Sequence, residues 1–164
     1  MNGSNGGDGE TAAAVMCARY TAAMTTRVLF LCTGNSCRSQ MAEGWCRHLH
    51  GDAIEAASAG TEPHGLNPRA VAAMAEAGVD ISGQRSQHLS EFADTKLDLI
   101  ITVCDAAHES CPVFPGASRT MHFGFDDPPR LAADAADEDA AMAPYRRVRD
   151  EIRDMVERLP DLLA

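Results

Sequence analysis

Val28-Leu29-Phe30-Leu31-Cys32-Thr33-Gly34-Asn35-Ser36-Cys37-Arg38-Ser39-Gln40-Met41-Ala42-Glu43 begins as an apolar run, breaks into small polar residues and resumes with helical character. The pattern predicts a buried strand, a tight loop and a helix. Within the loop, Gly34 and Asn35 tolerate left-handed dihedrals, so that successive N–H groups can turn inward around an anion. The helix that follows adds its unsatisfied first-turn N–H groups and the positive end of its dipole. Arg38 supplies a planar fork suited to a tetrahedral oxyanion, which a lysine could not copy. A cysteine at position 32 facing such a ring of donors is expected to have a lowered pKa and to exist as thiolate. The predicted anion contacts are Thr33, Gly34, Asn35, Ser36, Cys37 and Arg38. No Gly-Lys-Ser/Thr follows the loop, so it is not of the nucleotide-binding kind.

Outward from the loop, apolar runs at residues 27–31, 53–59, 97–103 and 118–123 read as strands. Helical patterns cover residues 39–50, closed by Gly51, and residues 69–76, introduced by Asn67-Pro68 and stopped by Gly78. Residues 89–93 suit one further helical turn. Residues 132–141 are acidic and low in complexity, and a last amphipathic helix is predicted to begin near Pro144. Its apolar face would carry Tyr145, Val148, Ile152, Met155, Val156 and Leu159. Met41, Trp45 and Cys46 recur at helical spacing and are expected in the core. Alternating strands and helices imply an α/β fold with a four-stranded parallel sheet and helices on both faces. Ligands of such sheets bind beyond the carboxyl ends of the strands. Cys32, Cys104 and Asp127 all follow strands at that end.

The 164 residues suffice for one domain with a single core. Residues 25–164 are expected to form it, and the Gly/Asn/Ser/Asp-rich start places residues 1–24 in a disordered extension. Met24 is an alternative start. The alanine-rich part of that extension is interrupted by Arg19 and does not read as a secretory signal. No apolar run approaches the roughly 20 residues needed to span a bilayer. A formal net charge of −10 argues against nucleic acid or an anionic membrane as partner. The six cysteines (Cys17, Cys32, Cys37, Cys46, Cys104, Cys111) are read as reduced thiols of a cytoplasmic protein. Cys17 is read as incidental, and His64 and His88 as solvent-exposed.

Cys104-Asp105-Ala106-Ala107-His108-Glu109-Ser110-Cys111-Pro112 is the second informative stretch. Cysteines seven apart on a helix have Cα atoms about 10.5 Å apart, whereas a disulfide tolerates about 7 Å. Bridging them requires the segment between to unwind, as in a redox switch. Two other readings fit these residues: a buried strand-end thiol with a loop thiol, or a metal held by Cys104, His108 and Cys111. Asp126-Asp127-Pro128 can be a turn, a source of a general acid, or both.

Cys32 to Ser39 resembles the anion loop of the low-molecular-weight protein tyrosine phosphatases. The longer run from Cys32 to Trp45 is closer still to the thioredoxin-coupled arsenate reductases built on that fold, and the likeness extends over about residues 26–159. It covers Ser58-Ala59-Gly60-Thr61, the Cys104–Cys111 segment with its following Pro112, and His122 to Pro128. The resemblance implies the phosphatase-like, flavodoxin-like three-layer fold and reduction of arsenate without cofactor or resident metal. Cys32 would attack arsenic, Ser39 would steady its thiolate, and Asp127 would protonate the departing oxygen. Oxidation would pass to a Cys32–Cys104 and then a Cys104–Cys111 disulfide, restored by thioredoxin or a similar dithiol, in a monomer. Cys37 and Cys46 would be redox spectators. Relatives that bind potassium use an asparagine, a glutamate, a serine and an aspartate. Asn35, Glu43 and Ser58 match, but Gln87 replaces the aspartate, which puts potassium dependence in doubt. A phosphatase sharing the loop and a non-catalytic arsenite or oxyanion sensor are the rival functions. The aromatic that grips phosphotyrosine in the phosphatases is replaced by Pro129 and Arg130.

Overall fold

The structure, a computed structural model, describes residues 25–111 and 116–164. The extension of residues 1–24, with Cys17 and Met24, and Pro112 lie outside the described residues. The strands are β1 (Thr26–Cys32), β2 (Ile54–Gly60), β3 (Leu97–Thr102) and β4 (Ala117–His122). They form one parallel sheet in the order β2-β1-β3-β4. The helices are α1 (Arg38–His50), α2 (Pro68–Glu76), α3 (Asp105–Ser110), α4 (Pro128–Leu131), α5 (Glu138–Glu157) and α6 (Leu159–Leu163). A 3₁₀ turn spans Leu89–Phe92.

The two faces of β1 explain the layering. Val28, Phe30 and Cys32 point into the larger core, with Met41 and Trp45 of α1, Met74 of α2 and Tyr145, Val148 and Ile152 of α5. Leu29 and Leu31 point the other way, into a smaller cluster closed by Leu89 and Phe92 of the 3₁₀ turn. A central parallel strand is apolar on both faces for this reason. The outer strand β4 is largely exposed and carries Arg119 on its edge, a charge that discourages edge-to-edge pairing. No helix among the described residues is long and apolar enough to cross a membrane.

Asn67 caps α2 as its sequence suggests, its side chain accepting from the Arg69 and Ala70 N–H groups, and Gly78 beyond the helix has φ +83°. The last long helix departs from expectation. α5 begins at Glu138, not near Pro144, which lies inside it. Asp137 accepts from the Ala140 N–H, and Glu138 and Asp139 place negative charge at the positive end of the helix. The acidic tract thus serves as the helix start. The face expected from the sequence is buried from Tyr145 to Val156, but Leu159, equally buried, opens α6 and not the long helix.

The sheet order reverses direction between β1 and β3, because β1 leads outward to β2 on one side and β3 lies on the other. The crevice beyond the carboxyl ends of these two strands is the topological switch point. Cys32 ends β1, and Cys104 follows β3 by two residues.

Candidate active site

The loop between β1 and α1 closes a tight ring. Asn35 takes φ +43°, the left-handed conformation that an asparagine tolerates better than most residues. Its backbone N–H donates to Cys32 Sγ at 3.2 Å. Gly34 does not use positive φ; its lack of a side chain matters differently, since a Cβ there would lie 2.5 Å from the His64 ring. Ser39 Oγ lies 2.8 Å from Cys32 Sγ and accepts from Asn35 Nδ2 at 2.9 Å. When Cys32 is a thiolate it can only accept, so the Ser39 hydroxyl then donates to sulfur.

The loop borders a pocket of about 230 Å³ lined by Cys32, Thr33, Gly34, Ser36, Cys37, Arg38, His64, Asp127 and Pro129. Five predicted anion contacts line it, together with the nucleophile candidate Cys32 and the acid candidate Asp127. Asn35 does not. It is fully buried, and its amide donates to Ser39 and Ser58 while its oxygen accepts from Gln87 and Gln40. Its side chain stabilises the loop from behind, although its backbone N–H points to Cys32. His64 was missed as a pocket residue. It is exposed, as read from the sequence, but its N–H donates to Gly34 O at 2.9 Å and its ring covers the loop. That contact joins residues thirty apart, for which the sequence carries no local signal.

Arg38 faces a competitor to any anion: it donates to Phe125 O at 2.8 Å and pairs with Asp127 at 3.1 Å. Asp127, whose side chain is 37% exposed, therefore lies at the pocket rim beside the guanidinium. The expected lowering of the Cys32 pKa is reversed here. Burial pushes the Cys32 thiol above its ordinary value, the Ser39 hydroxyl and the Ser39 and Asn35 N–H groups oppose this, and neighbouring Cys104 adds to the rise. The guanidinium that would favour a thiolate is directed to Asp127 and Phe125 instead. Burial also raises Cys37, and raises Cys46 up to about 12. Both are suited to the inert role anticipated for them.

Cys104 lies next to this pocket without lining it. Its sulfur is 3.6 Å from Thr33 Oγ1 and accepts from the Ala107 N–H at 3.4 Å, so that it caps α3. Cys111 is at the opposite end of α3, half-buried against the smaller core. The segment between them is helical, so the separation argued for two cysteines on one helix applies. Cys32 lines the pocket, Cys104 sits beside it against Thr33, and Cys111 stands at the far end of α3.

The residues that match the potassium-binding set are bound to one another. Asn35 donates to Ser58 Oγ, Ser58 donates to Glu43 at 2.5 Å, and Gln87 Nε2 donates to Ser58 O at 3.0 Å. Arg47 pairs with Glu43 at 2.6 Å and supplies its counter-charge. Burial pushes the Glu43 carboxyl up, with the Ser58 hydrogen bond and Arg47 opposing. An amide donor at Gln87 and a guanidinium at Glu43 do not fit a cation. Among the described residues, no group of three or more His, Cys, Asp or Glu could hold a metal ion, including Cys104, His108 and Cys111.

A cysteine at a strand end, ringed by loop N–H groups, with an arginine closing the loop and an aspartate at the rim, defines a phosphatase-type anion site on a parallel α/β sheet. The model of the low molecular weight phosphotyrosine protein phosphatases matches residues 27–164, and the chain belongs to that family. Within it, the chain is 50% identical over 125 residues to an arsenate reductase of Halalkalibacterium halodurans, covering 76% of this chain and 88% of that enzyme. Among solved structures, an arsenate reductase in the intermediate state superposes with a TM-score of 0.68 at 31% identity, over 85% of this chain and all of that one. The thioredoxin-dependent arsenate reductase of Corynebacterium glutamicum gives 0.62 at 25% identity, over 85% of this chain and 62% of that one.

Proposed function

We propose that this protein reduces arsenate to arsenite, using Cys32, Cys104 and Cys111 in turn. The observation that carries the reading is the placement of a second thiol, Cys104, against Thr33 of the anion loop. Hydrolysis of a phosphoester has no use for it. Arsenate binds to the loop N–H groups and draws Arg38 from Asp127, leaving that carboxyl free to carry a proton. The Cys32 thiolate attacks arsenic, steadied by Ser39, and Asp127 protonates the oxygen that leaves as water. Cys104 thiolate then attacks Cys32 Sγ. The sulfur–arsenic bond breaks with its electron pair kept by arsenic, which departs as arsenite, and a Cys32–Cys104 disulfide remains. Cys111 thiolate attacks Cys104, releasing Cys32 as thiolate. A dithiol reductant of the thioredoxin type accepts the oxidation from the Cys104–Cys111 bond by thiol exchange. The protein works as a cytoplasmic monomer in this reading.

Mass spectrometry of protein treated with arsenate and no reductant tests the sequence of steps. Wild type should gain one disulfide, Cys104–Cys111, and Cys111→Ser should accumulate Cys32–Cys104 instead. The rival phosphatase reading is favoured by family membership, and the loop does not exclude phosphate by shape. Arsenate turnover that survives Cys104→Ser, or arsenate treatment that leaves all thiols reduced while phosphoesters are hydrolysed, would overturn the relay.

A further inference from the structure

Joining Cys104 to Cys111 requires α3 to come apart, because the two residues cap its opposite ends. Whatever holds α3 down therefore bears on that step. Packing does little, since Ala107 is the only buried residue within the helix. Its attachment is polar. His122 Nε2 lies 3.1 Å from Asp105 Oδ1, His122 Nδ1 lies 2.9 Å from Thr102 Oγ1, and His108 Nδ1 lies 3.4 Å from the same hydroxyl. The His108 and His122 rings stack with centroids 4.2 Å apart and planes 26° apart. One assignment of protons satisfies the whole chain with neutral rings: His108 Nδ1–H donates to Thr102, the Thr102 hydroxyl to His122 Nδ1, and His122 Nε2–H to Asp105. Gly124 leaves room for the last pair, as a Cβ there would lie 2.9 Å from Asp105 Oδ1 and 3.3 Å from His122 Nε2.

We propose that Asp105, His122, Thr102 and His108 form a clasp that pins α3 to the carboxyl ends of β3 and β4, and that they are positioning residues for transfer of the disulfide to Cys104–Cys111. The inference rests on the three-thiol reading above. Thr102 and His122 belong to the sheet, which stays in place, whereas Asp105 and His108 travel with the helix. The clasp is closed in the dithiol form and must open before Cys111 Sγ can reach Cys104. It therefore favours the dithiol over the disulfide, and loosening it makes the disulfide harder to reduce.

The reduction potential of the Cys104–Cys111 pair measures this directly. The full chain carrying Cys32→Ser, so that no Cys32 disulfide can form, is equilibrated with mixtures of reduced and oxidised dithiothreitol. The Cys104–Cys111 disulfide is then quantified by alkylation and peptide mass spectrometry. In that background His108→Ala, at an exposed position, and Thr102→Val should each shift the equilibrium toward disulfide by about tenfold, which is about 30 mV more negative. Asp105→Asn keeps an oxygen acceptor for His122 Nε2–H and should stay within about twofold of the parent. Equal potentials in the parent, His108→Ala and Thr102→Val would overturn the clasp while leaving the relay standing. Failure of the parent to form the Cys104–Cys111 bond at any ratio would instead overturn the relay, and the clasp's role with it.

Discussion

Ser39 is the side chain on which the reactivity of Cys32 depends most directly. Burial raises the Cys32 thiol, and the Ser39 hydroxyl is the largest influence opposing it. Removing the hydroxyl in Ser39→Ala moves the pKa further up, and below the pKa the thiolate fraction falls tenfold for each unit of rise. A hydrogen bond to a charged group is strong enough for a loss of about tenfold in Cys32 alkylation at neutral pH. The rising limb of the pH–rate profile should move to higher pH, and an unmoved limb would show that Ser39 does not tune the sulfur. At this scale much was legible: the spacing of Cys32 and Arg38 marks the loop and the family resemblance adds Ser39, and in the structure Cys32 and Arg38 line one pocket with Ser39 hydrogen-bonded to the sulfur from behind. The buried role of the Asn35 side chain and the presence of His64 over the loop were not, because both depend on contacts with β2 and the following loop.

At the scale of elements, α5 shows how a local rule can be overridden. Proline lacks an N–H and collides with the preceding turn, so it normally marks a helix start. Pro144 instead lies inside a helix of 20 residues that begins at the Asp137 cap. The buried face from Ala141 and Met142 to Val156 secures both sides of the proline against α1 and α2. Pro144→Ala restores a donor to the Ala140 carbonyl and removes the clash. It should stabilise the protein by about 1–3 kcal/mol in urea unfolding, with the denaturant slope unchanged. Destabilisation would mean that the proline packs better than the backbone suggests. The 3₁₀ turn carries a related lesson. His88, read as an exposed histidine, caps it reciprocally with Glu91, a role usually taken by serine or threonine and so unmarked in the sequence.

For the whole molecule, the net charge of −10 opposes approach of an anionic substrate. Attraction is confined to the loop donors and Arg38, which is itself paired with Asp127. Raising sodium chloride from about 0.01 M to 0.15 M shortens the screening length from about 30 Å to 8 Å. That should weaken the long-range repulsion more than the contacts in the pocket. The kcat/KM for arsenate is expected to rise about two- to threefold over this range, measured with the reductant in excess. A fall would show that attraction by the pocket reaches beyond the loop.

The sequence by itself determined the alternation of strands and helices and the anion loop with its cysteine and arginine. These follow from hydrophobic period, turn residues and spacing, which act over a few neighbours. Tertiary structure alone decided that Arg38 is held by Asp127, eighty-nine positions away, and that burial raises the Cys32 thiol despite its ring of donors. It also brought His122 beneath α3. Charge, desolvation and hydrogen bonding depend on which groups meet in space, and the parallel sheet joins strands whose residues are far apart along the chain.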